Sequence, residues 1–280
     1  AKDAQRRPRN HSSLATPRVC LPVFPGTNSE LDTARAFRRA GGEVIETVIC
    51  NPNRDALAAS LDALADNLAA SQILVLAGGF SAGDEPDGSG KYMANLLANP
   101  RIADAIAALL ERDGLILGIC NGFQALLKLG LLPYGKITDL DDSSPTLTYN
   151  NIGRHVSQTV RVRVASNLSP WLSGVNVGDT HTIAVSHGEG RFYADAKTVA
   201  NMRIRGQIAT QYVNEKGEPT LDQPYNPNGS VNAIEGITSP DGRIYGRMAH
   251  AERIGADICK NVPGEMNQMI FESGVSYFIR

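Results

Sequence analysis

Cys120 lies in the pentapeptide Gly118-Ile119-Cys120-Asn121-Gly122, between an apolar run ending at Ile119 and a helix-like run from Phe123 to Leu129. A glycine two residues to each side of a nucleophile is the pattern of a strand-to-helix elbow. The turn is sharp enough to lift the side chain above a sheet, and glycine tolerates the crowding this creates. At a helix N-terminus the backbone N–H groups and the dipole favour a thiolate, lowering a cysteine pKa from its free value of about 8.5 by roughly a unit or more. The amide of Asn121 then points toward an oxyanion forming on the attacked carbonyl, and one such donor is worth about 3 kcal/mol. The chemistry this pattern suits is acyl transfer. An ordinary buried cysteine in a strand-to-helix turn is the plain alternative, and the paired glycines weigh against it.

A cysteine nucleophile needs a partner that moves protons, and the chain offers five histidines. His11 falls in a polar N-terminal stretch, and His155 and His181 have no supporting neighbours. His250 is followed two residues later by Glu252. In an extended segment those two share a face, so the carboxylate could orient the imidazole toward Cys120. His187 competes, because Glu189 stands at the same spacing, and spacing alone leaves the two pairs unresolved. The glycines of Ser186-His187-Gly188-Glu189-Gly190-Arg191 suggest a loop that brings backbone close to a ligand or a domain contact.

These residues need elements to hold them. Val19 to Phe24 reads as a strand, and Thr27 with Glu30 has the spacing of a capping box opening a helix that runs to Ala40. Val44 to Ile49 is a second strand. Leu57, Leu61, Leu64 and Leu68 mark an amphipathic helix, and Ile73 to Ala77 a third strand. Helices over Lys91 to Ala98 and Ile102 to Arg112 precede a fourth strand at Leu115 to Ile119. Strands alternating with helices imply βαβ units. The expected fold class is therefore α/β, with a mainly parallel central sheet of flavodoxin-like kind and helices on both faces. Beyond Pro133, short alternating runs (Thr159 to Val164, Ile208 to Val213, Arg243 to Met248) between glycine and proline turns indicate a β-rich insertion in the C-terminal half. A last helix is expected near Met266 to Phe278.

Composition narrows the classes. With 280 residues, 42% of them hydrophobic, the chain can bury a full core, and 27 basic against 29 acidic residues leave no broad basic surface for nucleic acid or anionic lipid. The apolar stretch Gly114 to Gly135 contains Asn121, Gln124 and Lys128, so it reads as a strand running into a helix rather than a membrane span. No charged-then-apolar leader opens the sequence, and the cytoplasm is the expected compartment. Cys20, Cys50, Cys120 and Cys259 are far apart, without metal-site spacing, so no metal or disulfide is expected. Residues 1–16 read as a polar linker or tail, basic enough to be the seam to a larger polypeptide, and residues 17–280 as one domain.

Five motifs taken together carry a resemblance: GGFSAGD (78–84), GICNGFQ (118–124), AVSHGEGR (184–191), NPNGS (226–230) and MAHAER (248–253). In this order they resemble the glutaminase domain of phosphoribosylformylglycinamidine synthase, one of the class I glutamine amidotransferases, from about Pro17 to the C-terminus. The resemblance implies Cys120 as nucleophile, His250 and Glu252 as its partners, and a glutamyl thioester from L-glutamine. It also implies an oxyanion hole from backbone at Gly79 or Phe80 together with Asn121. Gln124 matches a substrate-contacting position, with Asn151, Ser186 and His187 as weaker candidates, while Asn226 to Ser230 could equally be an Asx-rich turn. The family commonly has proline where this chain has Ala251, which removes a rigid φ but no functional group. Ammonia so released implies a synthase partner that uses ATP and magnesium. This chain has no GxxxxGK[ST] loop and needs no cofactor of its own. A γ-glutamyl peptidase of the same fold and a non-catalytic interaction module remain alternatives.

Overall fold

The structure, a computed structural model, describes residues 13–80, 90–255 and 258–279. Residues 1–12 of the expected tail, and Ser81 to Asp84 of the GGFSAGD motif, lie outside the described residues. Leu14, inside the stretch read as tail, instead packs against the core and donates its N–H to the Phe278 carbonyl at 2.9 Å. An apolar side chain gains by covering core surface whatever the polarity of its neighbours.

The first half alternates as the sequence predicts. β1 (Arg18–Val23) leads to α1 (Glu30–Arg39), β2 (Glu43–Val48), α2 (Arg54–Ala70) and β3 (Ile73–Leu76). Then follow α3 (Lys91–Leu97), α4 (Pro100–Glu111), β4 (Leu115–Ile119), α5 (Asn121–Lys128) and the single turn α6 (Leu131–Tyr134). The second half holds β5 (Thr146–Thr148), β6 (Val156–Val164), β7 (Thr180–His187), β8 (Arg191–Tyr193), α7 (Ala196–Ile204), β9 (Ile208–Tyr212), β10 (Ile234–Thr238), β11 (Ile244–Arg247) and α8 (Ile270–Ser276).

Nine strands form one sheet in the order β2-β1-β3-β4-β11-β10-β9-β6-β7. Its first five strands are parallel, and from β10 onward every pairing is antiparallel. The β-rich second half is thus an extension of the main sheet, and β11, though late in sequence, sits at its centre. The burial patterns follow from this. β3 (ILVL) and β4 (LILGI) are buried at every residue, as parallel strands covered on both faces must be, whereas β6 (VSQTVRVRV) alternates because one side of the extension is wetter. α1 packs with α8, where Phe37 meets Phe271 edge-on at 5.0 Å, and α2, α3, α4 and α5 pack among themselves.

Three local expectations need correction. Thr27 does not cap α1: the helix starts at Glu30 after Ser29, and the Thr27 hydroxyl accepts the Phe24 N–H at 3.1 Å, closing the turn that leaves β1. α8 begins at Ile270 rather than Met266, because Met269 has φ 54° and its N–H is taken by the Asn267 side chain at 2.9 Å. α7 was not anticipated, although Asp195 caps it by accepting the Thr198 N–H at 2.8 Å.

Candidate active site at the β4–β11 seam

Cys120 follows the last residue of β4 and has φ 52°, ψ −107°, a strained setting for a side-chain-bearing residue. The flanking glycines permit it by close approach. A Cβ on Gly122 would lie 2.0 Å from the Leu76 carbonyl oxygen, and one on Gly118 would lie 2.5 Å from Leu126 Cδ1. Cys120 donates its N–H to the Arg247 carbonyl at 2.8 Å, so the elbow is bonded to the strand beside it. Asn121 is the first residue of α5, where backbone N–H groups have no acceptor within the helix.

β11 lies parallel to β4, with Arg247 opposite Ile119. Three residues further on, His250 is bridged to the middle of β7, donating its N–H to the Ala184 carbonyl at 2.8 Å. The chain then turns, with Arg253 N–H to His250 carbonyl at 3.3 Å, and this turn rather than an extended segment carries Glu252 back to the ring. The His250 Nδ1 to Glu252 Oε1 separation is 2.5 Å, and both side chains are buried. The imidazole and the Cys120 thiol flank the same glycine: the position a Cβ on Gly78 would take is 2.8 Å from His250 Cε1 and 3.4 Å from Cys120 Cβ. Cysteine, histidine and glutamate thus meet in one place, drawn from two adjacent strands.

Electrostatics differ sharply between the two candidate histidines. Burial would pull His250 down, but the Glu252 carboxylate and its hydrogen bond, together with the nearby Cys120, outweigh it and push the imidazole up to about 10. Burial likewise opposes ionisation of Glu252, and the His250 charge and hydrogen bond overcome it, holding the carboxyl below its ordinary value. His187 is also buried, yet its Nδ1 is 3.2 Å from the neutral Asn150 amide oxygen. Desolvation, then repulsion from His250, lower it to about 3. It stays uncharged across the physiological range.

The other candidates divide. Ser186 places its carbonyl oxygen 3.7 Å from Cys120 Sγ, and its hydroxyl pairs with His155 Nε2 at 3.1 Å. Gln124 sits one turn into α5, its Nε2 donating to the Glu189 carbonyl and its Oε1 accepting from Asn121 Nδ2, each at 2.8 Å, so it ties the elbow helix to the 186–190 loop. The Gly79 strand segment bridges Thr27 beside the elbow. Phe80 is a correction: its N–H already donates to the Gly26 carbonyl at 2.8 Å, which removes it as an oxyanion donor in this conformation. Asn151 is exposed and its side-chain oxygen accepts from Arg191. Its neighbour Asn150, not singled out from sequence, is the buried one. Its Nδ2 donates to the His187 carbonyl at 2.8 Å and its Oδ1 accepts the Gly190 N–H at 3.1 Å. Asn226, Asn228 and Ser230 are buried and bond chiefly to one another and to Gly190, bracing the same loop from outside.

Among the described residues no group of three or more His, Cys, Asp or Glu could hold a metal ion, and no helix is long and apolar enough to cross a membrane. A cavity of about 870 Å³ lined by Arg163, Arg203, Arg205 and Leu221 lies at the far end of β6 and includes none of the site residues.

Fold and site together define an α/β protein with a cysteine at a strand-to-helix elbow of the kind that nucleophiles occupy. Residues 16–278 match the family model of the CobB/CobQ-like glutamine amidotransferase domain. The chain is 35% identical to phosphoribosylformylglycinamidine synthase subunit PurQ of Methanococcus maripaludis, over 94% of this chain and 97% of that one. It is 34% identical to the PurQ subunit of Rhodospirillum rubrum, over 90% and 96% of the two chains. A chain of the solved structure of PurLQS from Thermotoga maritima superposes with a TM-score of 0.66 at 27% identity, covering 94% of this chain and 99% of that one. The protein belongs to the glutamine amidotransferase family, among these PurQ relatives.

Proposed function

We propose that this chain hydrolyses L-glutamine to glutamate and ammonia through Cys120, His250 and Glu252, and supplies the ammonia to a phosphoribosylformylglycinamidine synthase partner in the cytoplasm. The observation that carries the reading is the strained thiol facing an imidazole that a buried carboxylate holds at 2.5 Å. The PurQ relatives support the choice of partner. ATP and magnesium belong to the synthase reaction, and this chain's half uses no cofactor.

The Cys120 sulfur anion attacks the side-chain carboxamide carbon of glutamine, forming a C–S bond while charge moves to oxygen. The amides of Asn121 and Gly79 hold that oxygen. His250, protonated at neutral pH because its pKa is raised to about 10, delivers its Nε2 proton to the departing nitrogen as the C–N bond breaks and ammonia leaves. A glutamyl thioester remains. The now neutral Nε2 takes a proton from water, the hydroxyl attacks the thioester carbon, and the C–S bond breaks to return the thiolate and release glutamate. Glu252 orients the ring and stabilises its charged form throughout.

Two measurements test this. A glutamine-like electrophile should label Cys120 and leave Cys20, Cys50 and Cys259 unmodified, read by peptide mass spectrometry. In the assembled synthase, Cys120→Ala should abolish glutamine-dependent synthesis while synthesis from added ammonium salt persists. Loss of both activities, or labelling elsewhere, would sink the proposal.

A further inference from the structure

Directly behind the site, two side chains of opposite charge are sealed from solvent. Glu235 on β10 and Arg247, the last residue of β11, are 1% and 0% exposed. Arg247 Nε and Nη2 donate to the two Glu235 carboxylate oxygens at 3.3 and 3.2 Å, and Arg247 Nη1 donates to Gln268 Oε1. Glu235 takes two further hydrogen bonds: Oε2 from the Thr210 hydroxyl at 2.5 Å, and Oε1 from the backbone N–H of Ala249 at 2.8 Å. Its own carbonyl accepts the Met248 N–H at 3.3 Å.

The geometry explains why a carboxylate is there. The β10–β11 ladder ends with Gly236 opposite Arg247, so the chain running on to His250 has left its strand partner. The register of β10 against β9 is irregular from Ile234 to Gly236, a bulge that turns Glu235 out of the regular pattern. From that position its carboxylate replaces the missing strand for Ala249, one residue before His250. Arg247 meanwhile presents its carbonyl to the Cys120 N–H at 2.8 Å. The ion pair thus holds the segment one residue before His250 through the Glu235 carboxylate, while the backbone of Arg247, rather than its guanidinium, meets Cys120. Its charge also bears on the site, since burial works against the Arg247 cation and Glu235, Tyr245 and Glu252 restore it.

Stability alone gives little reason for the pair. Desolvating two charges costs about as much as their attraction returns, and well-packed apolar replacements are often neutral or stabilising. We propose that Glu235 and Arg247 are positioning residues that fix the His250 segment over Cys120, so that the buried ion pair sets the rate of the thiol chemistry rather than the stability of the fold. This rests on the reading of Cys120 and His250 given above.

The test is the double variant Glu235→Met/Arg247→Met in the full chain, measured for thermal midpoint, for glutaminase kcat and KM, and for the alkylation rate of Cys120 by iodoacetamide. The expected result is an unchanged or higher midpoint, kcat reduced by about 10²-fold with KM within about threefold, and slower alkylation, because displacement by about 1 Å is enough to cost that much. A double variant that is folded and as active as the parent chain overturns the proposal. So does a loss of activity in strict proportion to unfolded protein. If the double variant does not fold, Glu235→Gln decides, since it keeps an acceptor for Ala249 N–H but not the charge. A fall in kcat at full foldedness supports the proposal and parental kcat overturns it. A parent chain that neither labels at Cys120 nor hydrolyses glutamine would instead condemn the functional reading beneath it.

Discussion

Two segments of this protein spell histidine, one residue, glutamate, and they have been folded into opposite electrical states. At 250–252 a turn brings the carboxylate onto the ring at 2.5 Å, and the imidazole is pushed up to about 10. At 187–189 the ring's Nδ1 meets the neutral amide of Asn150, and burial with repulsion from His250 lowers it to about 3. Both histidines are buried. The difference teaches that depth does not decide the charge of a histidine; the partner on its inner nitrogen does. It also divides labour: one ring carries a proton, while the other, fixed by Asn150 and crowded by Gly190, is a wall of the loop that borders the thiol.

The comparison can be broken most directly by removing each ring in turn. His250→Asn should lower glutaminase kcat on the order of 10⁴-fold, as loss of one member of a catalytic set does, whereas His187→Asn should cost less than about tenfold. Equal losses in steady-state assays would refute the contrast. Next in size, Glu252→Gln should reduce kcat by roughly 10²- to 10³-fold. With the protonated ring as the acid, as proposed above, kcat/KM should hold on the acid side and fall as pH rises through about 10 in the parent chain. In Glu252→Gln that alkaline limb should move down toward 6.5, because the strongest influence raising His250 is gone. A limb that stays in place would show that Glu252 does not set the ring's charge.

The surrounding backbone sharpens the same contrast. A Cβ on Gly122 would fall 2.0 Å from the Leu76 carbonyl oxygen, while one on Gly188, beside His187, meets nothing within 4 Å. Gly122→Ala should therefore destabilise by about 3 kcal/mol in chemical denaturation, and Gly188→Ala by less than about 0.5 kcal/mol. The smallest effect is on acid stability. With a folded pKa near 3 against 6.5 unfolded, His187 binds its proton more readily in the unfolded chain, so it takes stability away as pH falls from 6.5 toward 3. His187→Asn should shift the acid-unfolding midpoint to lower pH. His250 has the reverse sign: its contribution is complete below 6.5 and is lost as pH rises through about 10.

Much of this was readable from the chain because it depends on local rules. The strand–helix alternation, the apolar runs of β3 and β4, and the glycines around Cys120 each reflect a constraint acting within a few residues. The choice between His250 and His187 was not local. Equal spacing gave equal claims, and what separates them is which strand end each reaches and what lies across from it. Asn150 was missed for the same reason, since only the fold distinguishes it from exposed Asn151. Glu235 and Arg247 look like ordinary alternating charges until β11 is placed inside the sheet, where no water remains to serve them. Thr27 satisfied the spacing of a capping box, but the turn at Phe24 took its hydroxyl first.

The placement of β11 has a consequence for how the protein comes into being. This strand is the last of the sheet in chain order, yet it must slide between β4 and β10, where it joins the parallel and antiparallel halves of the sheet. Until it does, the nascent chain has two bare strand edges, a hazard for misassociation, and its thiol has no imidazole beside it. Completion of the sheet and the meeting of thiol and imidazole are one event, so a chain interrupted before β11 would, on the function proposed above, release no stray ammonia.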